Sequence, residues 1–252
     1  MKILIIIITL LSFKLYAQGI VSTSPALTEI LTELGLEAKI VGRTKYCLDA
    51  KKAMVIGTAL KLDYEKLISL NPDIVLLQEN SPSQSSKDLK ELGLTFKSFK
   101  LVNVSDISST INSLAEHFEI NPKDVLNKLH LSGSSKFKNG FIMLGGIPGK
   151  SMMVAGTDSY YSEIASKLGM KNLASSKGWP KITPELARGV VDNNSVIIEV
   201  STSKNNQWSK SDWDSFCPKC NVLSFVSARS AFPGVTVISK LSKVLVSGGK
   251  DD

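Results

Sequence analysis

Two cysteines three positions apart have the spacing that most directly suggests chemistry in this chain. Cys217 and Cys220 form the C-x-x-C pattern that thiol–disulfide oxidoreductases use. In such enzymes the first cysteine stands at a helix N-terminus, where its thiolate is stabilised. Here the motif follows 213–216, which has the pattern of a helix end, and precedes a strand-like run at 222–226. We therefore predict a structural disulfide in an oxidising compartment, and keep a thiol–disulfide oxidoreductase as a remote alternative.

Other catalytic and metal-binding patterns are missing from the sequence. It contains no G-x-S-x-G nucleophile elbow, no phosphate-binding glycine loop and no paired acid and base, and we interpret the glycine-rich 145–149 as a turn. The two histidines, His117 and His130, both fall in one predicted helical segment, too few for a zinc or manganese site. We predict a protein that is not an enzyme, with no bound metal and no cofactor.

The first seventeen residues have the features of a secretory signal peptide. Lys2 supplies the positive start, an apolar run covers 3–13, and Ala17 offers a small residue for cleavage. The first cysteine is Cys47, which argues against a lipid anchor directly after this segment. We expect an exported protein in the periplasm, with the segment removed.

The charge and the length of the chain indicate which kinds of partner it can bind. The chain has 252 residues and a formal net charge of +7, and its lysines are scattered. The densest basic group comprises Lys39, Arg43, Lys45, Lys51 and Lys52. Such a group is typical of a solvated face, so we expect no nucleic acid, a small-molecule ligand and a monomer.

One segment occurs twice. When Glu29 is aligned with Glu163, an isoleucine, a leucine and a glycine also coincide between 24–35 and 157–169. Downstream of each copy, a glutamate opens a short helix before an apolar strand: Glu65 in the first half and Glu185 in the second. A repeated unit predicts two similar lobes, and a cleft between lobes is where small ligands bind.

Strand and helix patterns alternate, which predicts an α/β fold in which each lobe is a small, mainly parallel sheet covered by helices. We predict an N-terminal lobe at 18–104, a helical connector at 105–137 that Gly133 interrupts, and a C-terminal lobe at 138–252. In detail, we expect Ser24 to cap the first helix and a turn to follow a strand at 140–144. The helix carrying Glu65 is expected to direct three apolar side chains inward: Leu67, Ile68 and Leu70.

The segments I-V-S-T-S-P-A-L-T-E-I-L from position 20 and E-K-L-I-S-L-N-P-D-I-V-L from position 65 carry a family likeness. With Glu185 before its strand, they resemble the periplasmic substrate-binding proteins of ABC importers whose lobes are joined by a helical backbone. The likeness covers nearly the whole chain after the signal segment. Members bind cobalamin, ferric siderophores or haem, and the pattern is most similar to the cobalamin-binding branch.

The resemblance implies roles for individual residues. Glu65 and Glu185 match the glutamates that dock on arginines of the membrane permease. The positions matching ligand contacts are Tyr46, Thr58, Ala59, Trp179 and Arg229. The cobalamin branch carries a tryptophan where Ala59 stands. The ligand expected from the resemblance is a cobalamin-like corrinoid; the alternatives are a ferric siderophore or haem, with Tyr46 or Cys47 as an iron ligand.

Overall fold

The structure is a computed structural model that describes residues 19–79 and 81–249. The predicted signal peptide therefore lies outside the described residues. Within them the chain forms two α/β halves that pack on a shared core. Among these residues, no helix has both the length and the apolar character needed to cross a membrane.

The first half alternates strands and helices, as the sequence predicts. Its elements are β1 Ile20–Ser22, α1 Pro25–Glu33, β2 Ile40–Arg43, β3 Met54–Val55, β4 Gly57–Thr58, β5 Lys61–Leu62, α2 Tyr64–Ser69, β6 Ile74–Gln78, α3 Ser83–Glu91 and β7 Phe96–Phe99. Helix α1 begins at Pro25, because proline fits the first turn where its missing N–H is not needed. It ends before Gly35, whose φ of +77° suits the left-handed residue that follows many helices.

The first sheet has the strand order β3-β2-β1-β6-β7, and every pairing in it is parallel. The carboxyl ends of β1 and β6 lie side by side at one edge. There the Ser24 hydroxyl donates a 2.8 Å hydrogen bond to the Gln78 side-chain oxygen. Strands β4 and β5 form a separate antiparallel hairpin. The layout directs the side chains after β1 and β6 to one edge of the sheet.

The segment between the halves is helical but discontinuous. Helix α4 spans Val104–His117 and α5 spans Lys123–Asn127. Asn103 and Asp106 form a reciprocal capping box at the start of α4. The chain then runs irregularly to the next strand, and Gly133 adopts a φ of +91° within this stretch. The lobe boundaries given above remain predictions.

The second half contains a larger mixed sheet. Its elements are β8 Asn139–Ile147, β9 Ser151–Val154, α6 Tyr160–Lys167, β10 Lys171–Asn172, β11 Lys181–Ile182, α7 Pro184–Val190, β12 Ser195–Ser201, α8 Lys210–Phe216, β13 Asn221–Val226 and α9 Val235–Ser247. The sheet order is β11-β9-β8-β12-β13, with β10 also paired to β8. Strands β8, β10, β12 and β13 pair in parallel, whereas β9 and β11 are antiparallel. The two-lobed, mainly parallel α/β architecture predicted from the sequence is confirmed.

Three local predictions were wrong. Ser24 occupies the N-cap position of α1, but its hydroxyl donates to Gln78 instead of accepting from the helix. Ile68 is 49% exposed, because α2 has six residues and directs only Leu67 fully into the core. Strand β8 does not end at Leu144; it continues to Ile147 and forms a hairpin with β9.

The repeated glutamates have matching structural roles across the junction of the halves. The Glu29 carboxylate on α1 accepts the backbone N–H of Thr236 at the start of α9, at 2.7 Å. The Glu163 carboxylate on α6 accepts the N–H of Val104 at the start of α4, also at 2.7 Å. Each carboxylate thus satisfies an otherwise unpaired helix donor and meets the positive end of that helix dipole. The repetition noted in the sequence marks a pseudo-symmetric contact between the halves.

Candidate functional site

A cavity of about 690 Å³ lies where the carboxyl ends of the parallel strands of both sheets converge. The first half contributes Gln78 from the end of β6, with Leu101 and Val102 beyond β7. The second half contributes residues 143–145 within β8, the end of β12 and the segment 230–233 after β13. In open α/β sheets, ligands bind at this edge of the strands. The volume falls within the range of about 300–1,000 Å³ that small-molecule pockets occupy.

Trp179 is the one residue of the five predicted ligand contacts that lines this cavity within the described part of the chain. Trp179 is 53% exposed. Tyr46 is 59% exposed in the loop after β2. Thr58 and Ala59 lie, half-buried, at the β4–β5 hairpin. The structure therefore does not bring the five predicted ligand contacts together around this cavity.

Two stacked tyrosines form part of the cavity wall. Tyr160 and Tyr161 have ring centroids 4.2 Å apart, and both hydroxyls donate to the backbone oxygen of Ser230. Burial raises the pKa of Tyr161 to about 12 and raises that of Tyr160 further. Both phenols stay protonated at neutral pH, so they provide an aromatic surface and not a phenolate ligand for iron.

Arg229 lies at the junction of the halves. Both terminal guanidinium nitrogens donate to the Asp49 carboxylate, Nη1 to Oδ2 at 2.5 Å. Nη1 is also 3.7 Å from Oε2 of Glu29, whose side chain is buried. The Asp49 hydrogen bond is the main cause that raises the pKa of Arg229. This guanidinium therefore connects the first half to the segment between β13 and α9.

The carboxyl of Glu29, which lies at this junction, makes the free energy of unfolding depend on pH. Burial raises the pKa of its carboxyl above 4.5, although the Thr236 hydrogen bonds and Arg229 oppose the shift. Between about pH 4.5 and the raised folded value, the unfolded chain has already lost this proton, so stability falls as pH rises. We expect the stability advantage of the natural protein over Glu29→Gln to be greatest near pH 4 and to shrink toward neutral pH. Urea unfolding of both proteins at four pH values measures this difference.

A matched variant checks that prediction. Glu33→Gln removes a carboxyl from the same region that is partly exposed and pairs with Lys128. Its stability difference should not show the decline expected for Glu29. A Glu29 difference that grows with pH would mean that the attraction of Arg229 outweighs burial, and would contradict the expected direction.

The two predicted docking glutamates occupy equivalent local positions. Glu65 lies in the first turn of α2, which Asp63 caps by accepting the N–H of Lys66. Glu185 lies in the first turn of α7, which Thr183 caps. Both side chains are exposed. Hydrogen bonding from the backbone N–H of its own residue lowers the pKa of Glu185 and keeps it ionised.

The cysteines and histidines do not form a reactive centre. Cys217 and Cys220 are disulfide-bonded, and Cys217 is buried at the C-terminal end of α8. Cys47 is buried, with its sulfur 3.1 Å from the Thr28 hydroxyl. His117 and His130 are exposed. Over residues 19–79 and 81–249, no cluster of three or more metal-ligating side chains is present.

Several site residues were missed by sequence reasoning. Gln78 and Glu199 line the cavity, and Asp49 holds Arg229. Glu199 is a buried glutamate within a strand of mostly β-branched residues. A charged residue inside an apolar strand could have indicated a functional position from the sequence alone. Asp49 and Gln78 had no comparable signal, because their partners are distant in sequence.

Known proteins are similar to this chain in sequence and in fold. Residues 20–123 match the family model described as periplasmic binding protein. The match covers less than half of the chain and lies within its first half. The ABC transporter substrate-binding lipoprotein YvrC of Bacillus subtilis, itself described as uncharacterized, is 29% identical over 195 residues, which cover 69% of this chain and 61% of that protein.

Two further similar proteins differ in the ligands that their names state. The vitamin B12-binding protein of Vibrio cholerae is 27% identical over 119 residues, which cover 46% of this chain and 43% of that protein. The solved structure of the haem-binding protein BhuT superimposes with a TM-score of 0.73 at 17% identity, covering 91% of this chain and 98% of that one. The chain thus spans about three fifths of YvrC and less than half of this vitamin B12-binding protein. These named relatives are binding proteins, which agrees with the expectation that this chain is not an enzyme.

Proposed function

We propose that this protein is the substrate-binding component of an ABC importer, that it acts in the periplasm, and that its ligand is a cobalamin-like corrinoid. The observation that carries the proposal is the cavity at the converging strand ends of the two halves. The match of residues 20–123 to the periplasmic binding protein model supports it, as do the relatives named for substrate binding and vitamin B12.

The chemistry of the wall suits a large, flat and largely apolar ligand. Trp179, Tyr160, Phe232 and Met143 present ring and thioether surface to the cavity. Burying about 100 Å² of such surface against a macrocycle contributes on the order of 2.5 kcal/mol. Trp179 is the ligand contact that this proposal retains from the sequence; Tyr46, Thr58, Ala59 and Arg229 remain predictions as ligand contacts.

The proposal includes delivery to a membrane permease. Glu65 and Glu185 are exposed and ionisable, one in each half, and are proposed to meet basic side chains of the permease subunits in the inner membrane. Exposed carboxylates at helix N-termini cost the fold little, and they can direct a basic partner into one orientation.

A ferric siderophore or haem is the second candidate ligand. The similarity of the fold to a haem-binding protein favours keeping it. The thiol–disulfide oxidoreductase has less support, because Cys217 lies at the C-terminal end of α8, where the helix dipole disfavours a thiolate. An insulin-reduction assay tests the oxidoreductase hypothesis, and we expect no activity.

Thermal unfolding of the purified protein with cyanocobalamin, cobinamide, haem and ferric siderophores tests the ligand class. A ligand at 100 times its Kd should stabilise the folded state by about 2.7 kcal/mol. We expect the largest increase in melting temperature with the corrinoids. If no compound raises it, the proposed ligand class is wrong.

A further inference from the structure

The charged residues that line the cavity are all acidic in the described part of the chain. They are Asp158, which precedes α6, and Glu199, near the end of β12. Oδ1 of Asp158 accepts the backbone N–H of Gly178 at 2.8 Å, and the residue is otherwise exposed to the cavity mouth. Among residues 19–79 and 81–249, no lysine, arginine or histidine belongs to the lining.

Glu199 and Asp158 differ in what they contribute. Glu199 is buried, and its two oxygens accept the backbone N–H of Trp208 at 2.5 Å and the indole N–H of Trp213 at 3.4 Å. Burial raises the pKa of Glu199, so the environment opposes its ionisation. Asp158 is the exposed carboxylate and has an oxygen available beyond its bond to Gly178. Asp158 is therefore the main source of negative charge at the opening.

Three basic residues are direct sequence neighbours of lining residues, but none of them lines the cavity. Arg229 precedes the lining residue Ser230, but its guanidinium is held by Asp49 with Glu29 nearby. Lys100 precedes Leu101, is exposed and has its Nζ 3.7 Å from the Asp106 carboxylate. Lys177 precedes Gly178 and is exposed, but it is not a lining residue.

We infer that this cavity selects its ligand by charge, accepting a neutral or cationic chelate and disfavouring one with carboxylate or phenolate substituents, and that Asp158 is a specificity-determining residue. An anionic substituent placed inside would lose water without gaining a counter-charge from the lining, and that loss is costly. Repulsion from Asp158 adds to the cost. The inference rests on the proposed function and narrows its ligand class: an amidated corrinoid fits, whereas the two propionates of haem do not.

A matched pair of soluble corrinoids isolates the effect of charge. Cyanocobalamin and the derivative in which one side-chain amide is hydrolysed to a carboxylate differ by one negative charge. We expect isothermal titration calorimetry to show at least tenfold weaker binding of the carboxylate, and haem to bind more weakly than cyanocobalamin. In Asp158→Asn, an amide oxygen still accepts from Gly178, and we expect the difference between the pair to shrink about threefold to tenfold.

Controls separate this inference from the proposed function. Asp124→Asn alters an exposed aspartate on α5 outside the cavity lining and should leave the difference between the two corrinoids unchanged. If neither corrinoid binds, a neutral ferric trihydroxamate and an anionic ferric tris-catecholate provide the same comparison, and the neutral chelate should bind more tightly. Equal or tighter binding of the anionic member of a pair overturns charge selection but leaves the transport function standing. Failure of every compound to bind rejects the proposed ligand classes and this inference with them.

Discussion

Replacing both Glu65 and Glu185 by alanine is expected to abolish ligand uptake while leaving ligand affinity unchanged. Both carboxylates are exposed, and neither lines the cavity among the described residues. Close charge pairs at interfaces are worth about 1.5–7 kcal/mol each. Even at the lower end, losing two pairs removes about 3 kcal/mol, on the order of a hundredfold in affinity for the permease. The measurement is the uptake of labelled ligand by spheroplasts from a strain in which the gene for this protein is deleted. The purified natural protein or the variant is added to the spheroplasts.

The double variant should remain folded. Each glutamate complements the dipole of a short helix, so its loss costs only about 0.3–1 kcal/mol. Asp63 and Thr183 still cap the two helices. Each single variant should reduce uptake by about tenfold or more.

Two exposed glutamates elsewhere provide the control for this experiment. Glu91 on α3 and Glu116 on α4 are exposed and have no predicted docking role. Their double alanine variant should support normal uptake. Normal uptake by the Glu65/Glu185 variant would refute the docking proposal, and a loss of ligand affinity would place those residues in the binding site instead.

The overall architecture was predictable because its signals are local and repeated. Short apolar runs such as Ile74–Leu77 are bounded by turn residues, which predicts buried strands. Each run follows a segment whose apolar residues recur at helical spacing, so the sequence predicts that strands and helices alternate. The two-lobe arrangement followed from the alignment of Glu29 with Glu163. Family likeness supplied the proposed class of ligand, which no residue pattern specified on its own.

Local packing was less predictable, because helix length and strand continuation depend on tertiary partners. The apolar spacing in α2 predicted that Ile68 would face the core together with Leu67. The helix has only six residues, however, and it is too short to bury a second face. Gly145 and Gly146 have the composition of a turn, but pairing with β9 holds them in an extended strand. A glycine in such a strand often marks a close approach of another backbone: a Cβ on Gly146 would lie 2.2 Å from the oxygen of Ser151.

The site was the hardest part to predict, because its contacts join distant residues. Arg229 and Asp49 are separated by 180 positions, and a sequence pattern does not reveal whether an arginine faces a ligand or a carboxylate. The same limit applies to Gln78, which reaches the cavity through the arrangement of the first sheet. The roles of Arg229 therefore need a direct test.

Arg229→Met is expected to lower the free energy of unfolding by about 3 kcal/mol at neutral pH. Methionine keeps much of the side-chain volume but leaves the carboxylates of Asp49 and Glu29 facing each other without a cation. Removing one partner of a buried ion pair costs about 3–5 kcal/mol, and the partial exposure of Arg229, 25%, favours the lower end. Urea unfolding followed by circular dichroism measures the change.

The double variant Arg229→Met with Asp49→Asn tests whether unpaired charge is the cause. Removing the Asp49 charge should recover part of the lost stability, so the two substitutions should be non-additive. Destabilisation by Arg229→Met should also grow as pH rises above 4.5, because burial already opposes ionisation of Glu29 and the loss of Arg229 removes a group that favours it. If Arg229→Met instead leaves stability unchanged and weakens corrinoid binding tenfold, the guanidinium belongs to the ligand site. The junction would then have to move for the ligand to reach it, because the structure places this guanidinium against Asp49 and outside the cavity lining of the described residues.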